Sequence, residues 1–397
     1  MVDSMMDGDG GLSGGVDSGR RVLFAPVPVS PTKPLTFSHV KGLLWSDVLF
    51  RATALLHKTD FLWSWTVGVA NAQTHGFWAH LDATRPGMDF SGLDEEDIGL
   101  LYVDYQRQRR ERGGPPPEVG APGALHPAGA RVLELWAERW GELGIPDPGL
   151  RVRTPPPMSF DALVEVLSGY GLCLDHRPFD GPVYLDGTAH GFPLRRLAGA
   201  GGGSGNYLAG LLRELVPLVD AYDDVVLAFD RESLPDYVLV RHVLARLGAR
   251  VSLVGVGRVR TGGGRPVSSR YGGWRGHTAA ALAGRYLDVV GPRVYRLGVR
   301  LYFIAVLGQG DREVFREELV GRCMARAARL LAAADAGAGL DPGGPAPPPP
   351  ADDPAPLLPR HARPHPHVDP YRLTTALLSR NRVPASRAAA LLEEVYV

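Results

Sequence analysis

The sequence predicts an α/β protein built on a parallel sheet, and three observations support this prediction. Short apolar runs that suit buried strands begin at Val22 and at Asp224. A strand, a helix and a strand follow one another from Asp224 to Val256, an order that implies parallel strands joined by a right-handed crossover. With 397 residues, the chain is long enough for a sizeable core and more than one structural unit.

Composition excludes several classes of protein. Lys and Arg together number 43, and so do Asp and Glu, which gives a formal net charge of zero. The chain therefore lacks the overall positive charge that is typical of nucleic-acid-binding proteins. Cys173 and Cys323 are the only cysteines, which excludes a disulfide framework or a Cys-rich zinc site and fits a reducing compartment. We find no signal peptide and no apolar run long enough to span a bilayer, and we therefore expect a cytoplasmic protein without a membrane partner.

The first strand and helix are predicted within Val22–Arg51. A Pro-punctuated turn, Val27–Pro34, follows the strand, and a helical pattern begins near Ser38. The apolar face of this helix contains Leu43, Leu44, Val48 and Leu49. A strand that leads into a helix through a tight turn is the first half of a nucleotide-binding unit, because the helix N-terminus offers N–H groups and a positive dipole end to phosphates.

The turn also carries a motif. Pro34-Leu35-Thr36-Phe37-Ser38-His39 resembles P-L-H-I-G-H, the first ATP signature of class I aminoacyl-tRNA synthetases of the methionyl/leucyl branch. His39 matches the second His, Thr36 replaces the first, Ser38 replaces the Gly, and Asp47 stands where the family has a helix Asp. The resemblance implies that Thr36 and His39 contact ATP phosphates and that Ser38 lines the ATP site. The alternative is a His that serves only as a polar group at the helix N-terminus.

Asp60–Ala72 is predicted to be a second strand and its exit loop. By the resemblance, Trp63 and Pro28 would line the amino-acid pocket, although a core position is the alternative for a tryptophan on a strand. The acidic residue that the family usually places in this exit loop is missing from Thr66–Gln73.

Helical patterns dominate the next hundred residues. They lie at Leu93–Arg112, Ala130–Leu143 and Phe160–Gly169. By position they form the connective insertion between the two halves of the synthetase core. The run Arg107–Arg112 carries enough charge to contact RNA, with a solvated helix end as the alternative.

The second half of the core is predicted from near Pro182. Val183–Gly191 resembles the family's strand that ends in an Asp beneath the amino-acid pocket, which implies that Asp186 and His190 bind the substrate. A turn Asp beside Gly187 is the alternative.

A second ATP signature follows this strand–helix–strand unit. Pro266–Gly272 resembles the K-M-S-S-R-x-G variant of K-M-S-K-S without its Lys positions. Arg265, Arg270 or Arg275 would supply the positive charge for the triphosphate, and Arg270 is the predicted catalytic residue. The ATP-binding residues that the resemblance implies here are Gly255, Gly257, Arg265, Ser268 and Ser269. The Gly-rich loop Gly262–Gly273 is expected to be a mobile lid that orders with ATP, with a plain surface loop as the alternative.

The remaining chain completes the predicted organisation. Gly291–Ala332 resembles the helical stem of the same enzymes, in which Asp311, Phe315, Leu319 and Val320 stand for a D-x-x-F-x-x-x-x-L-V run, with Phe315 one position later than in the run. The predicted units are a disordered N-terminus (1–20), a Rossmann-like, HUP-type core in two halves (21–80 and 181–280), a helical connective insertion (81–180), a helical stem (281–335), a Pro-rich linker (336–370) and short C-terminal helices (371–397).

The resemblance implies an activity. The protein would use ATP and Mg²⁺ to form an aminoacyl-adenylate and would pass the acyl group to a tRNA 3′ end or a small amine, with no DNA partner and no side-chain metal site. Catalysis would depend on positioning and charge rather than on a nucleophilic side chain. The alternatives are an enzyme that uses ready-made aminoacyl-tRNA, as cyclodipeptide synthases do on a related core, and a catalytically inactive amino-acid- or nucleotide-binding regulatory protein.

Overall fold

The computed structural model describes residues 19–68, 71–112, 125–147, 149–150, 155–199, 207–262, 271–338, 358–362, 365–379 and 389–397. The predicted disordered N-terminus lies outside these ranges up to residue 18, and so does the predicted linker from 339 to 357. Among the helices of the described ranges, none is both long enough and apolar enough to cross a membrane.

The described residues contain both strands and helices, and the two alternate only around the strands of the parallel sheet. The strands are β1 (Arg21–Ala25), β2 (Lys58–Phe61), β3 (Cys173–Asp175), β4 (Val183–Leu185), β5 (Arg195–Ala198), β6 (Asp224–Asp230) and β7 (Val251–Val256). The α-helices are α1 (Phe37–Ala54), α2 (Ala72–Thr84), α3 (Glu95–Arg112), α4 (Pro127–Leu143), α5 (Phe160–Gly169), α6 (Tyr207–Leu215), α7 (Leu234–Arg246), α8 (Ala279–Val290), α9 (Pro292–Arg300), α10 (Glu317–Ala338), α11 (Pro359–Ala362) and α12 (Pro370–Leu378). Two π-helical segments, Leu301–Val306 and Leu392–Tyr396, extend α9 and end the chain.

The main sheet has four parallel strands in the order β2-β1-β6-β7, which confirms the predicted α/β fold. Its central strands are apolar on both faces because helices cover both sides of a parallel sheet. Val22 and Phe24 of β1 belong to one hydrophobic core, whereas Leu23 and Ala25 belong to the other. This alternation follows the two-residue period of a strand and makes β1 the wall between the two cores.

The first core lies between the sheet and a large helical body that includes α1 to α4, α8 to α10 and the C-terminal segments. The second core lies on the opposite face, where α5, α6 and α7 pack together with a small antiparallel sheet.

This small sheet corrects one expectation. β4 does not join the parallel sheet; it lies between β3 and β5 in a three-stranded antiparallel sheet. Strands of three or four residues joined by short turns form a local meander, and Val183 and Leu185 direct their side chains into the second core. The second half of the parallel sheet therefore begins at Asp224, not near residue 181.

Helix α1 is buried along nearly its whole length, including polar residues. The carboxylate of Asp47 accepts a hydrogen bond from Nη2 of Arg300 at 2.5 Å and another from Nε of Arg51 at 2.9 Å. Arg300 is fully buried and also donates to the carbonyl of Leu143 at 2.7 Å. This cluster connects α1, α9 and the end of α4.

The end of the predicted linker differs from the expected extended chain. Leu358 and Val368 are fully buried, and the Val368 N–H donates to Oγ1 of Thr53 at 3.1 Å. His367 is 7% exposed. These residues and α12 pack against α1 and Leu301–Val306, so the C-terminal segments are part of the main core.

We predict that Asp47→Asn lowers the free energy of unfolding by about 3–5 kcal/mol, because it leaves the buried Arg300 guanidinium without a counter-charge. Urea unfolding measures this loss. The control Arg285→Met breaks an exposed pair with Glu317 and should cost less than about 1 kcal/mol. The double variant Asp47→Asn/Arg300→Met should lose less than the sum of the two single losses, and strict additivity would contradict a direct interaction.

We predict that acid loosens the docked C-terminal segment. Burial, and then the charge of nearby His365, lowers the pKa of His367 from 6.5 to about 4. Because the folded-state pKa is depressed, the stabilisation is complete above about pH 6.5 and is lost as the pH falls toward 4. Limited proteolysis at about pH 7.5 and about pH 5 should show faster cleavage of the C-terminal segment at the lower pH. His367→Gln should flatten this dependence, and an unchanged pH profile would rule out His367 as its source.

Candidate functional site

A polar cavity lies at the carboxyl ends of β1, β6 and β7. Its walls are formed by 27–30, 33, 36–39, 42, 73, 230, 256–259, 261, 272–274 and 277. From β1 the chain moves to β2 on one side of the sheet, whereas from β6 it moves to β7 on the other. Such a reversal opens a crevice between the two central strands, where open α/β sheets bind ligands.

The turn between β1 and α1 is held in place by neighbouring backbone. The Val29 N–H donates to the carbonyl of Thr66 at 3.0 Å, and the Phe37 N–H donates to the carbonyl of His277 at 2.9 Å. The carboxylate of Glu95, which is 4% exposed, accepts the N–H of Leu35 at 3.2 Å. Burial raises the pKa of Glu95 to about 7. The turn therefore enters α1 along a fixed path.

His39 lies in the first turn of α1 and lines the cavity. Its Nδ1 accepts the N–H of Thr36, the N-cap residue, at 3.1 Å. A neutral ring that accepts at Nδ1 carries its proton on Nε2. Burial, followed by the charges of Lys33 and Arg258, lowers the pKa of His39 to about 3, so the ring is neutral near pH 7.

The sequence left two roles open for His39, and the structure shows one of them. The ring is a polar group of the helix N-terminus, because Nδ1 is used in the cap. Its contact with phosphate, and that of Thr36, stays a prediction, now with both residues in the cavity wall.

Ser38 also lines the cavity, and its hydroxyl is engaged by protein. Oγ accepts the N–H of Val259 at 3.0 Å, which ties the start of α1 to the segment after β7. The predicted contact of Ser38 with ATP would be made by a side chain that already holds two walls of the cavity together.

Lys33 and Arg258 also line the cavity, and neither was predicted from the sequence to be a site residue. Lys33 is 5% exposed, and its ammonium lies 5.4 Å from the centre of the Tyr102 ring. Arg258 donates from Nε to Asp230 at 3.1 Å, and its Nη2 lies 2.7 Å from Glu232. The sequence did contain a pointer to Lys33. The chain has lysine only at 33, 41 and 58, and Lys33 lies in the turn between β1 and α1.

The two glycines predicted to bind ATP have different positions. A Cβ on Gly257 would lie 2.5 Å from the carbonyl carbon of Gly310, so this position accepts only a glycine where two backbones touch. The Gly257 N–H donates to the carbonyl of Gln309 at 2.7 Å. Gly257 lines the cavity, whereas Gly255 lies within β7 against Phe229 and does not.

The predicted substrate-binding residues are not all brought together. Pro28 lines the cavity, but Trp63 lies outside its wall, 39% exposed, with its ring 4.2 Å from that of Phe61. Asp186 accepts hydrogen bonds from the N–H and hydroxyl of Thr188, as a turn Asp does. His190 is exposed.

Asp186 and His190 belong to the region of the antiparallel sheet, which explains their distance from the cavity. The ring of His190 packs 4.4 Å from that of His242 on α7. Arg265, Ser268, Ser269 and Arg270 lie outside the described residues, as does most of the predicted lid.

Solved structures resemble this fold over most of the chain. An arginyl-tRNA synthetase from Thermus thermophilus matches with a TM-score of 0.55 and 14% identity over 95% of this chain and 73% of its own. An arginyl-tRNA synthetase from Plasmodium falciparum matches with a TM-score of 0.52 and 11% identity, over 80% of this chain and 59% of its own. No protein-family model and no curated protein matches the sequence.

At these identities the likeness concerns the fold. The protein has the Rossmann-like α/β fold of class I aminoacyl-tRNA synthetases. Both neighbours are arginyl enzymes, so the class of synthetase-like fold predicted from the sequence is supported, whereas the methionyl/leucyl branch is not.

We predict that Gly257→Ala destabilises the protein and displaces the 309–311 segment, because the new methyl group would overlap the backbone at Gly310. Thermal unfolding measures the loss. The matched control is Gly42→Ala in the same cavity wall, where the added Cβ would lie 3.4 Å from the side chain of Val27 and is tolerated far better. Equal melting temperatures for the two variants would contradict the close approach at Gly257.

Proposed function

We propose that this cavity binds ATP and an amino acid, and that the protein forms an aminoacyl-adenylate and passes the acyl group to an acceptor. The observation that carries the proposal is the gathering of Lys33, Arg258 and the N-terminus of α1 around the crevice between β1 and β6. Cations and a helix N-terminus in this position favour a polyphosphate.

Side chains would supply most of the contacts to phosphate. The Phe37 N–H already donates to His277 and the His39 N–H is satisfied within the capping box, so the first turn of α1 offers fewer free N–H groups than its sequence leads one to expect. The positive end of the helix dipole remains. The ammonium of Lys33 therefore becomes the principal candidate for a direct charged contact.

His39 and Arg258 fit complementary tasks. The neutral His39 ring carries a proton on Nε2 and would donate it in a hydrogen bond to a phosphate oxygen without adding charge. Arg258 is held by Asp230 and Glu232, so its guanidinium is positioned before a ligand arrives. Attack of the amino-acid carboxylate on the α-phosphate would then be promoted by positioning and charge stabilisation.

The residues fit a magnesium ion that arrives with the nucleotide. Asp230 is the carboxylate of the described cavity wall, and among the described residues no group of three His, Cys, Asp or Glu side chains converges on one point. Mg²⁺ usually keeps several waters and binds through one or two carboxylates and the substrate's phosphates, where it neutralises the triphosphate charge.

The amino acid and the acceptor are the open parts of the proposal. The two structural neighbours are named arginyl-tRNA synthetases, which makes arginine the first amino acid to test. A tRNA 3′ end and a small amine are the two acceptors that we propose.

A second candidate function is nucleotide binding without adenylation. It is favoured by the engagement of the cavity's polar side chains within the protein, since Ser38 holds Val259 and His39 caps α1. Such a protein would bind ATP in the same cavity but would not turn it over.

We predict amino-acid-dependent exchange of pyrophosphate into ATP, measured with a panel of proteinogenic amino acids. Adenylate formation is reversible, so one or a few amino acids should support the exchange. ATP binding without exchange for any amino acid would favour the second candidate. The absence of both binding and exchange would contradict both.

We predict that Lys33→Met weakens ATP binding by about 1.5–3 kcal/mol, the size of a hydrogen bond to a charged group. The matched control is Lys58→Met, because Lys58 is exposed at the start of β2, outside the cavity. Calorimetric titration with ATP compares the two variants, and equal affinities would contradict the role of Lys33.

We predict that His39→Ala weakens ATP binding or adenylation by about 1–3 kcal/mol. Because His39 also caps α1, His39→Asn serves as a second variant that can still accept the N–H of Thr36. Both variants should lose ATP affinity, and only His39→Ala should also lose stability. If His39→Asn binds ATP like the natural protein, the ring is a structural cap alone.

A further inference from the structure

The face of α3 that carries Glu95, Gly99 and Tyr102 packs against the turn between β1 and α1. These three residues are spaced by four and three positions, which places them on one side of a helix. A Cβ on Gly99 would lie 2.6 Å from Cδ of Pro34, so the helix and the turn are in close contact there. The centre of the Tyr102 ring lies 5.4 Å from the ammonium of Lys33. The helix therefore supports the part of the turn that carries Lys33.

Glu95 makes a polar contact between this face and the turn. Its side chain is buried, and Oε2 accepts the N–H of Leu35 at 3.2 Å. Oε1 lies 3.4 Å from Nε of Arg139 on α4. Leu35 directly precedes Thr36, the N-cap residue of α1. The contact of Glu95 with Leu35 therefore holds the backbone between Lys33 and the start of α1.

The charged groups around Glu95 come from two helices. α4 presents Arg139 and Glu142, and the residue before α3 presents the carboxylate of Asp94. The turn presents a backbone N–H to Glu95, and the segment across from α3 presents the uncharged indole of Trp274. Burial raises the pKa of Glu95 to about 7, although the N–H and Arg139 act in the opposite direction. Near pH 7 the carboxyl group is therefore divided between its charged and neutral forms.

We propose that Glu95 is a positioning residue of the nucleotide site, and that its charged carboxylate, acting through Leu35, holds the turn where Lys33 meets phosphate. This inference deepens the proposed function and rests on it, because the ligand is the ATP proposed for the cavity. A charged acceptor binds an N–H more strongly than a neutral one does. ATP affinity is therefore highest with Glu95 ionised and weakens as the pH falls and the carboxylate takes up a proton.

The same ionisation has the opposite effect on stability. The pKa of an exposed glutamate is about 4.5, below the pKa of Glu95 in the folded protein. Because the folded state holds this proton more tightly, the stabilisation is complete below about pH 4.5 and is lost as the pH rises through 7. Ionised Glu95 therefore lowers stability where it strengthens ATP binding, as expected of a residue retained for function.

The test is calorimetric titration with ATP and Mg²⁺ at two pH values. Glu95→Gln keeps an oxygen that can accept the N–H of Leu35 but cannot ionise. At about pH 8.5 this variant should bind ATP about 5-fold more weakly than the natural protein, whereas at about pH 6 the two should agree within about 2-fold. Comparison of the two proteins at the same pH cancels the titration of the nucleotide itself.

Two further variants and a stability measurement complete the test. Glu95→Leu lacks an acceptor and should bind ATP more weakly than Glu95→Gln at both pH values. The matched control is Glu134→Gln, which removes an exposed carboxylate that pairs with Arg131 on α4, and it should bind ATP like the natural protein. In thermal unfolding at about pH 8.5, Glu95→Gln should be at least as stable as the natural protein. Parallel losses of ATP affinity and melting temperature in Glu95→Gln would reduce Glu95 to a structural contact and overturn the proposal.

The outcomes separate this inference from the proposed function. A natural protein that binds ATP and exchanges pyrophosphate, with the same affinity ratio to Glu95→Gln at both pH values, overturns the role of Glu95 and leaves adenylation intact. A ratio that changes with pH as expected, in a protein that exchanges no pyrophosphate, supports Glu95 and overturns adenylation. A natural protein that does not bind ATP overturns both.

Discussion

Burial of α1 on all sides is the constraint on which the structure depends. A helix that is surrounded by other elements must pair every polar side chain it carries, since an unpaired buried charge is costly. Asp47 meets Arg300 and Arg51, which joins the second half of α1 to α9. Lys41 donates to the carbonyl of Gly310 at 2.5 Å, which joins the first half to the 309–311 segment. Buried polar contacts therefore hold α1 in both its first and its second half.

The cavity is a consequence of that arrangement. The 309–311 segment that Lys41 holds also touches Gly257, and Gly257 leads into the cavity wall after β7. Burial is the main cause that lowers the pKa of Lys41 to about 8, so this lysine is still mostly protonated near pH 7. Helix α1 therefore holds the segment after β7 in place, and its own N-terminus forms a further wall of the cavity.

Much of the fold could be predicted because the hydrophobic periodicity of a strand or helix and the capping residues of a helix are local features of the sequence. β6 and α5 have the predicted bounds, and the parallel order of β6 and β7 followed from the helix between them. The place of β4 could not be predicted, because a three-residue strand takes its partner from tertiary packing. The same holds for Leu358, whose Pro-rich surroundings indicate a linker but whose side chain is buried in the main core. The sequence motif pointed to Thr36 and His39, and both line the cavity. Arg258 also lines it, but only the folded structure shows this.

Hydrogen exchange with mass spectrometry shows where a nucleotide contacts the protein. With ATP and Mg²⁺, exchange should slow in peptides that cover 28–42 and 256–261, the walls that carry Lys33 and Arg258. Peptides from the antiparallel sheet, Cys173 to Ala198, should exchange at the same rate with and without nucleotide. Unchanged exchange in both cavity walls at saturating ATP, or protection confined to the antiparallel sheet, would show that the cavity is not the nucleotide site.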